Sequence, residues 1–423
     1  MRRGANSQEK NITVGIDIGS SKICCAIGQL QENSSTKLMG IGIAPSKGLN
    51  HGNIVHRDQL IEQIEKAVEA AEMMADISVE RAIISMTGEH IRCINTVGAV
   101  ALNKGNSPNL VAEQSITMSD MEKAIELSQA VSLPIDKDIL HVLPQDYLVD
   151  TLAFIKNPIG MTGRRLEARV HLVIAATTAM QNLKNCVEEL GIDFEGIVFQ
   201  PLASSLVTLN EDEKNLGVTL VDMGAHTTDI TVYHGDAVRY SSVIPIGANS
   251  ITNDIAVMLQ IGLETAEEIK IKYGSAKASL ASSELNFDLP VSNGGPKRSI
   301  SEHEVSRYIE ARMQEIFQLI IREISKADVK GKLTYGIVLT GGGAQLRNLG
   351  ALATETMDLK VRVASPTNIT GIKEVAENPE YTAALGLLLW NTQSDDFKNS
   401  TQESALTLKT VSHKISAWFK DFF

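Results

Sequence analysis

The chain has 423 residues, enough for two to four domains with substantial cores. Hydrophobic residues make up 43% of the sequence and aromatic residues only 4%, so we expect a globular protein with mainly aliphatic cores. The formal net charge of −12 argues against nucleic acid as a partner, and no basic stripe offsets it.

The sequence also indicates a compartment. The four cysteines have no C-x-x-C spacing, which is typical of a protein of the reducing cytosol. No apolar segment follows Arg2 and Arg3 as in a signal peptide, and no apolar run is long enough to span a bilayer. We therefore expect a soluble, cytoplasmic protein, except in its last residues.

A phosphate-binding turn is predicted near the amino terminus. Residues 14–23 alternate apolar residues with glycine and aspartate, as in a strand that runs into a tight turn. The turn offers a carboxylate, a glycine, two hydroxyls and an ammonium, a set suited to a phosphate and a hydrated magnesium ion: Asp17, Gly19, Ser20, Ser21 and Lys22. Taken alone, the same pattern is also that of a plain turn.

A second copy of this pattern lies half a chain later, within residues 219–233. Asp222 and Gly224 follow Asp17 and Gly19 by the same 205 residues, again after an apolar strand and before a β-rich return strand. Two equivalent hairpins favour a duplicated α/β core, with one turn from each half closing on a nucleotide. Chance similarity of two turns is the alternative.

A small α+β subdomain is predicted inside the first half. It follows an amphipathic helix over residues 58–74 and extends from 89 to 165, with a helix opened by a Ser119-x-x-Glu122 capping box. A strand over residues 170–175 then resumes the core.

Gln200 ends a predicted strand and begins a helix rich in small residues. From that junction the side chain would point into the cleft, where a glutamine can orient an attacking water. The alternative is a glutamine that is satisfied within a turn.

The second half offers a charged pair on a helix. Glu267 and Lys270 lie on one face of a helix predicted to open with a Thr265-x-x-Glu268 capping box. An exposed ion pair, worth only tenths of a kcal/mol, is the ordinary interpretation of such spacing.

Three glycines follow a later strand. A long helix capped by Ser301 precedes a strand over residues 335–340, which runs into Gly341, Gly342 and Gly343. These glycines admit a flat ring or a phosphate against the backbone, or they form a bare turn. A helix over residues 381–389 follows.

The ordered motifs D-x-G-S-S-K, Q-P-L-A-S, D-M-G-A-H-T-T-D, T-G-G-G and a closing A-x-G-L helix resemble the α/β ATPase fold shared by actin, the 70-kDa heat-shock chaperones and sugar kinases. Within that superfamily the chain resembles the FtsA family of bacterial cell-division proteins. The motifs that carry the closer resemblance lie at residues 88–91, 157–163, 166–171 and 366–371.

The resemblance implies two related lobes around a nucleotide cleft that holds ATP and Mg²⁺. The phosphates would be held by Asp17, Gly19, Ser20, Ser21, Lys22, Asp222, Gly224 and Thr227. Asp17 and Asp222 would face the magnesium through water, and Gln200 would lie near the γ-phosphate. Glu267 and Lys270 would border the adenosine, with Gly341, Gly342 and Gly343 under it. His226 departs from the glycine that many relatives carry in the second turn.

The resemblance also implies domain bounds. The first-lobe core would comprise residues 12–88 and 166–203, with the inserted subdomain at 89–165. The second lobe would have a core at 204–246 and 316–390 and a smaller subdomain at 247–315.

The carboxy-terminal tail changes character twice. Residues 391–407 are polar, as in a flexible linker, and residues 408–423 then predict an amphipathic helix with lysines opposite its apolar face. The apolar face comprises Leu408, Val411, Ile415, Trp418, Phe419, Phe422 and Phe423. We expect this helix to lie in the interface of an anionic membrane, as the family's tail anchor does. A helix docked on the globular body is the alternative.

By resemblance, the protein would be a self-associating scaffold that ties filaments of the tubulin-like protein FtsZ to the cytoplasmic face of the inner membrane at the septum. The FtsZ carboxy-terminal peptide would bind at Arg312 and Glu315, unless these are merely solvated residues, and later division proteins would be recruited. The rival class is an enzyme, a kinase or a chaperone-like ATPase. No aspartate stands out as a kinase base, and about 30 residues after Trp390 leave no room for a chaperone's substrate-binding domain.

Overall fold

The structure of the protein is a computed structural model that describes residues 11–31, 35–102, 114–289, 298–327, 329 and 332–398. The strands run in chain order as β1 (Ile12–Ile18), β2 (Lys22–Leu30), β3 (Thr36–Pro45), β4 (Leu49–Asn50), β5 (Asn53–Ile54), β6 (Arg81–Met86), β7 (Arg92–Ala101), β8 (Gln114–Ser115), β9 (Lys137–Val149), β10 (Leu152–Ile155), β11 (Thr162–Gly163), β12 (Arg165–Ala176), β13 (Asp193–Phe199), β14 (Val218–Met223), β15 (Thr228–His234), β16 (Ala237–Ile244), β17 (Asn286–Asp288), β18 (Ser299–Ser301), β19 (Ile337–Thr340), β20 (Val361–Val363) and β21 (Ile369–Thr370). The helices are α1 (Arg57–Ala75), α2 (Met118–Ser128), α3 (Thr177–Glu188), α4 (Gln200–Thr208), α5 (Glu211–Leu216), α6 (Asn249–Leu259), α7 (Leu263–Tyr273), α8 (Glu302–Ile324), α9 (Leu349–Met357), α10 (Lys373–Ala376) and α11 (Thr382–Lys398).

The two lobes have sheets of the same topology. The first sheet has the order β13-β6-β1-β2-β3-β21, and the second has the order β20-β19-β14-β15-β16. In each, three consecutive antiparallel strands are followed by two strands parallel to the first. The register repeats as well, because Asp17 pairs with Cys24 and Asp222 with Asp229, each partner 205 residues further on. The predicted duplication is therefore present in the fold.

The inserted subdomain is a four-stranded antiparallel sheet of order β10-β9-β12-β7, covered by α2. The structure differs from the predicted boundary at residue 166, because β12 is an inner strand of this sheet, although Val173 and Ala175 near its end pack into the first-lobe core. The capping box of α2 also lies two residues earlier than predicted: the backbone N–H of Thr117 donates to Asp120 at 3.0 Å. Ser119 is within the helix.

The smaller part of the second lobe packs α6 and α7 against α8. Here α7 begins after Gly262, so the predicted Thr265-x-x-Glu268 capping box is wrong, whereas Ser301 does cap α8 by accepting the N–H of Glu304. Since α8 is continuous from Glu302 to Ile324, the predicted boundary at residue 316 falls inside one helix.

Two helices, α4 and α11, cross between the lobes. After β13, α4 packs on β14 and β15 of the second sheet, while α11 packs on β1 and β2 of the first. Residues 369–390, predicted as second-lobe core, therefore lie on the first lobe, with β21 paired to β3. Gly386 allows the crossing, because a Cβ there would lie 2.0 Å from the carbonyl oxygen of Ala203.

The first part of the predicted linker, residues 391–398, is helical in the structure. Helix α11 continues to Lys398, since no glycine or proline follows Trp390 to end it.

Candidate functional site

One cleft between the lobes collects the side chains that the sequence predicts for a nucleotide site. Its volume is about 440 Å³. All the predicted phosphate, metal, adenosine and water-positioning residues line it: Asp17, Gly19, Ser20, Ser21, Lys22, Gln200, Asp222, Gly224, Thr227, Glu267, Lys270, Gly341, Gly342 and Gly343.

The first turn joins β1 to β2. The N–H of Gly19 donates to the carbonyl oxygen of Lys22 at 3.0 Å, which closes the turn. Asp17 is buried at the end of β1, and its Oδ1 accepts a hydrogen bond from the Ser85 hydroxyl at 2.5 Å. Burial raises the pKa of this carboxyl, although the Ser85 hydrogen bond and the Lys22 charge act in the opposite direction.

The second turn repeats this geometry between β14 and β15. The N–H of Gly224 donates to the carbonyl oxygen of Thr227 at 2.9 Å. Asp222 accepts a hydrogen bond from the Ser204 hydroxyl at 2.6 Å, and the Gln200 amide lies 3.5 Å from the same oxygen. Burial, together with the charge of Asp17, raises the pKa of Asp222 to about 6. Gln200 therefore lies in the cleft beside Asp222, which is where the sequence predicted it.

Asp229 is a third carboxylate that the prediction missed. It lies opposite Asp222 on β15, is fully buried, and accepts a hydrogen bond from Thr87 of the first lobe at 2.6 Å. Among the described residues its other oxygen has no partner. Burial and the charge of Asp222 raise its pKa well above the usual range. The signal was available in the sequence, because Asp229 stands in the return strand of the second hairpin.

Glu267 and Lys270 are not an ordinary surface pair. Their charged groups lie 2.6 Å apart, and Lys270 is only 9% exposed. The Lys270 ammonium also donates to the Thr252 hydroxyl at 3.0 Å, and that hydroxyl in turn donates to Glu267. Because buried charges are costly unless they are paired, this triad has a fixed arrangement at the cleft wall.

The glycine loop lies against the second turn. Gly341 has a positive φ of 84°, and a Cβ there would lie 2.3 Å from Oδ1 of Asp222. A Cβ at Gly343 would lie 3.0 Å from the backbone of Met223. The loop can therefore approach the turn only as glycine.

Other cleft residues escaped the sequence analysis because they come from separate elements. The structure adds Thr87, Asn249, Gln345, Arg347, Glu380 and Thr382 to the lining. Each stands alone in the sequence, without a motif, and only the tertiary fold brings them to the cleft.

His226 extends from the second turn toward the first lobe. Its Nε2 lies 2.9 Å from the Asn249 amide, and its ring centroid is 4.9 Å from that of His51. This residue therefore contacts both lobes.

Arg312 and Glu315 lie together on α8, away from the cleft. The Arg312 guanidinium binds Asp254 of α6 through two hydrogen bonds, at 2.6 and 2.8 Å, and Glu315 at 2.5 Å. All three side chains are partly exposed. They form a charged surface cluster of fixed geometry, which we call the Arg312 cluster.

The predicted membrane face lies outside the described residues: Leu408, Val411, Ile415, Trp418, Phe419, Phe422 and Phe423. In the described part of the chain, no helix has both the length and the apolar character needed to cross a membrane.

Solved structures of known proteins define the class. The chain is similar to the PilM-PilN type IV pilus biogenesis complex, with a TM-score of 0.65 and 17% identity over 89% of this chain and 98% of that chain. It is also similar to MreB 5 of Spiroplasma citri bound to AMPPNP, with a TM-score of 0.57 and 14% identity over 93% of this chain and 99% of that one. The fold is thus that of the actin-like ATPases, as predicted.

Sequence comparisons then give the family. A family model described as "Cell division protein FtsA" matches residues 219–386, and one described as "SHS2 domain inserted in FTSA" matches residues 88–174. The cell division protein FtsA of Pseudomonas aeruginosa is 36% identical over 95% of this chain and 94% of its own length. The corresponding protein of Escherichia coli K12 is 33% identical over 97% of this chain and 96% of its own length. The chain belongs to the FtsA family of cell division proteins.

Proposed function

We propose that the protein is an ATP-binding, self-associating scaffold that tethers FtsZ filaments to the cytoplasmic face of the bacterial inner membrane at the septum. The observation that carries this proposal is the pair of equivalent turns that face one cleft, with Asp17 and Asp222 at corresponding positions. The membrane, FtsZ and later division proteins are the partners that membership of the family supports.

The cleft fits ATP with Mg²⁺. Glycines at both turns and in the loop leave the backbone open to a ligand, and Gly341 could not carry a side chain. The buried carboxylates of Asp17 and Asp222 line the cleft beside the two turns and suit a hydrated cation there. The nucleotide with its metal would supply a polyanion and a phosphoryl group that can be transferred to water.

The chain's own residues then have distinct tasks. Asp17 and Asp222 would accept hydrogen bonds from metal-bound water, because their oxygens line the cleft beside the turns. The hydroxyls of Ser20, Ser21 and Thr227 and the Lys22 ammonium would bind phosphate oxygens. Glu267 and Lys270 would border the adenosine, and Gln200 would orient a water toward the terminal phosphate.

We expect weak hydrolysis at most, because a scaffold needs the nucleotide to hold its two lobes together. Slow release of phosphate together with tight retention of ATP would support the scaffold. Rapid multiple turnover would favour the enzyme class instead.

Two surfaces would serve the partners. The Arg312 cluster offers a guanidinium and two carboxylates on an exposed helix pair, a set that can bind a charged peptide such as the carboxy terminus of FtsZ. Residues 408–423 would lie in the membrane interface with Lys409, Lys414 and Lys420 toward anionic headgroups.

The proposal is tested by incubating the full chain with ATP, Mg²⁺ and anionic liposomes and examining the membranes by electron microscopy. We expect polymers on the liposomes with ATP and none without nucleotide. The matched control is a chain that lacks residues 411–423, which should not sediment with the vesicles. A truncated chain that still sediments with them would contradict the membrane assignment, and bare liposomes in the presence of ATP would contradict the scaffold.

A further inference from the structure

We propose that Glu380 is a positioning residue of the first phosphate turn. Its carboxylate binds the Lys22 ammonium and competes with nucleotide phosphate for it. This inference rests on the proposed ATP site. It gives the cleft a carboxylate that opposes triphosphate binding, supplied by a residue 358 positions away from the turn.

The contact is direct. Nζ of Lys22 lies 2.7 Å from Oε1 of Glu380, and the two side chains are only 17% and 34% exposed. The same ammonium lies 5.0 Å from the centre of the Tyr381 ring, which adds a favourable cation–π contact on that side. Both Lys22 and Glu380 line the cleft. The cation that the sequence assigns to phosphate is therefore already paired with a carboxylate.

Contacts from both lobes fix the position of Glu380. It lies in a short 3-10 turn, Pro379–Tyr381, where its backbone N–H donates to Asn378 Oδ1 at 2.9 Å. The Gln345 amide donates to the Glu380 carboxylate at 3.3 Å. The carbonyl oxygen of Pro379 accepts the N–H of Gly341 at 3.2 Å. The carboxylate thus connects the first turn with the glycine loop of the other lobe.

This geometry has an electrostatic consequence. An ammonium has three donors, so a phosphate at the first turn either displaces Glu380 from Lys22 or shares the ammonium with it. In both cases a fixed negative charge lies close to the phosphate and opposes its binding. Displacement also removes a connection between the first turn and the glycine loop, so that binding of phosphate changes how the two lobes are held.

The test is the variant Glu380→Gln in the full chain. Glutamine keeps an acceptor for Lys22 and the size of the side chain, and it removes only the charge. We expect ATP to bind about three- to tenfold more tightly at low salt, with a smaller gain at high salt. Adenosine, which has no phosphate, should bind as it does to the wild type. Equilibrium titrations with ATP and adenosine measure both.

Two variants serve as controls. Glu377→Gln removes an exposed carboxylate three residues earlier, which pairs with Lys373 at 3.8 Å, and should leave ATP affinity unchanged. Glu380→Asp retains the charge and should stay near the wild type. ATP binding that Glu380→Gln leaves unchanged or weakens, or an equal gain for adenosine, overturns this inference alone. Absence of saturable ATP binding in the wild type and the variant overturns the proposed ATP site and this inference together.

Discussion

Buried carboxylates dominate the cleft at the scale of single residues. Asp17, Asp222 and Asp229 are each less than 9% exposed, and burial raises the pKa of all three. Such groups destabilise a fold unless hydrogen bonds or cations compensate them, and hydroxyls from Ser85, Ser204 and Thr87 do so only in part. Asp17 and Asp222 line the cleft, with Asp229 paired to Asp222 on β15, and a ligand that carries a metal ion would offset part of this cost, in agreement with the proposed function.

A buried histidine outside the cleft contributes to stability against acid. His171 of β12 is 2% exposed, with its ring nitrogens 2.6 Å from Asn95 Oδ1 and from the Ser241 hydroxyl of the second lobe. Burial lowers its pKa from 6.5 to about 4. Since the folded state binds the proton less tightly than the unfolded chain, the contribution is present above pH 6.5 and is lost as the pH falls toward 4.

We predict that protonation of His171 lowers the free energy of unfolding of the wild type by about 2 kcal/mol as the pH falls from 7 to 5. The variant His171→Gln, which retains a polar side chain, should lose less stability over the same interval. His90, whose pKa burial also lowers to about 4, still contributes in both chains. Denaturant unfolding at the two pH values measures the difference. Equal losses in the two chains would contradict the assignment.

At the scale of elements, the crossing of α4 and α11 joins the lobes. Helix α4 follows β13 of the first sheet and packs on β14 and β15 of the second, whereas α11 comes after β20, the last strand of the second sheet, and packs on the first. Small residues make the crossing close: Gly386 of α11 faces Ala203 of α4, and Gly15 of β1 lies under Leu387. The lobes are therefore held together at the base of the cleft by backbone that approaches backbone.

Replacing Gly386 tests this contact. Gly386→Ala should lower the unfolding free energy by about 2 kcal/mol, because the added methyl meets the Ala203 carbonyl, although alanine ordinarily stabilises a helix. Gly350→Ala in α9 is the matched control, since the nearest atom to its Cβ lies 3.9 Å away. It should be neutral or slightly stabilising. Equal effects of the two substitutions in thermal melts would argue against a close crossing.

Local elements of the fold could be predicted from the sequence, but their partners could not. The hairpins at Asp17 and Asp222 carry a repeated pattern of strand, turn and strand, so the duplication and the turn residues could be predicted. The assignment of β12 to the inserted sheet could not be predicted, because an apolar strand does not specify its neighbours. Similarly, Glu380 and Thr87 reach the cleft only through the packing of distant segments.

The Arg312 cluster allows a prediction on partner binding. Arg312→Glu reverses the charge that Asp254 and Glu315 hold in place, and we expect at least tenfold weaker binding of an FtsZ carboxy-terminal peptide. Arg307→Glu, at an exposed position on the same helix, is the matched control and should retain binding. Peptide titrations, with circular dichroism to check folding, measure both. Unchanged affinity in Arg312→Glu would rule out the cluster as the binding surface.

At the scale of the whole molecule, the inserted subdomain contacts the second lobe as well as the first. The inserted subdomain belongs to the first lobe by sequence, yet Asp146 of β9 binds Arg239 of β16 at 2.5 Å, and Lys156 pairs with Asp236. The Gln145 amide also donates to the carbonyl oxygen of Val238 at 2.7 Å. These contacts are polar, as is common between domains that move relative to one another. A ligand that changes the separation of the lobes would therefore also act on the inserted subdomain.

Equilibrium binding of ATP in the presence of Mg²⁺ tests most directly whether both turns hold one triphosphate. We predict one site per chain in the wild type and at least tenfold weaker binding in Asp17→Asn and in Asp222→Asn. Asp58→Asn, which changes a fully exposed carboxylate on α1, should bind as the wild type does. A protein that binds no ATP, or whose affinity is the same after both cleft carboxylates have been replaced, would contradict the account.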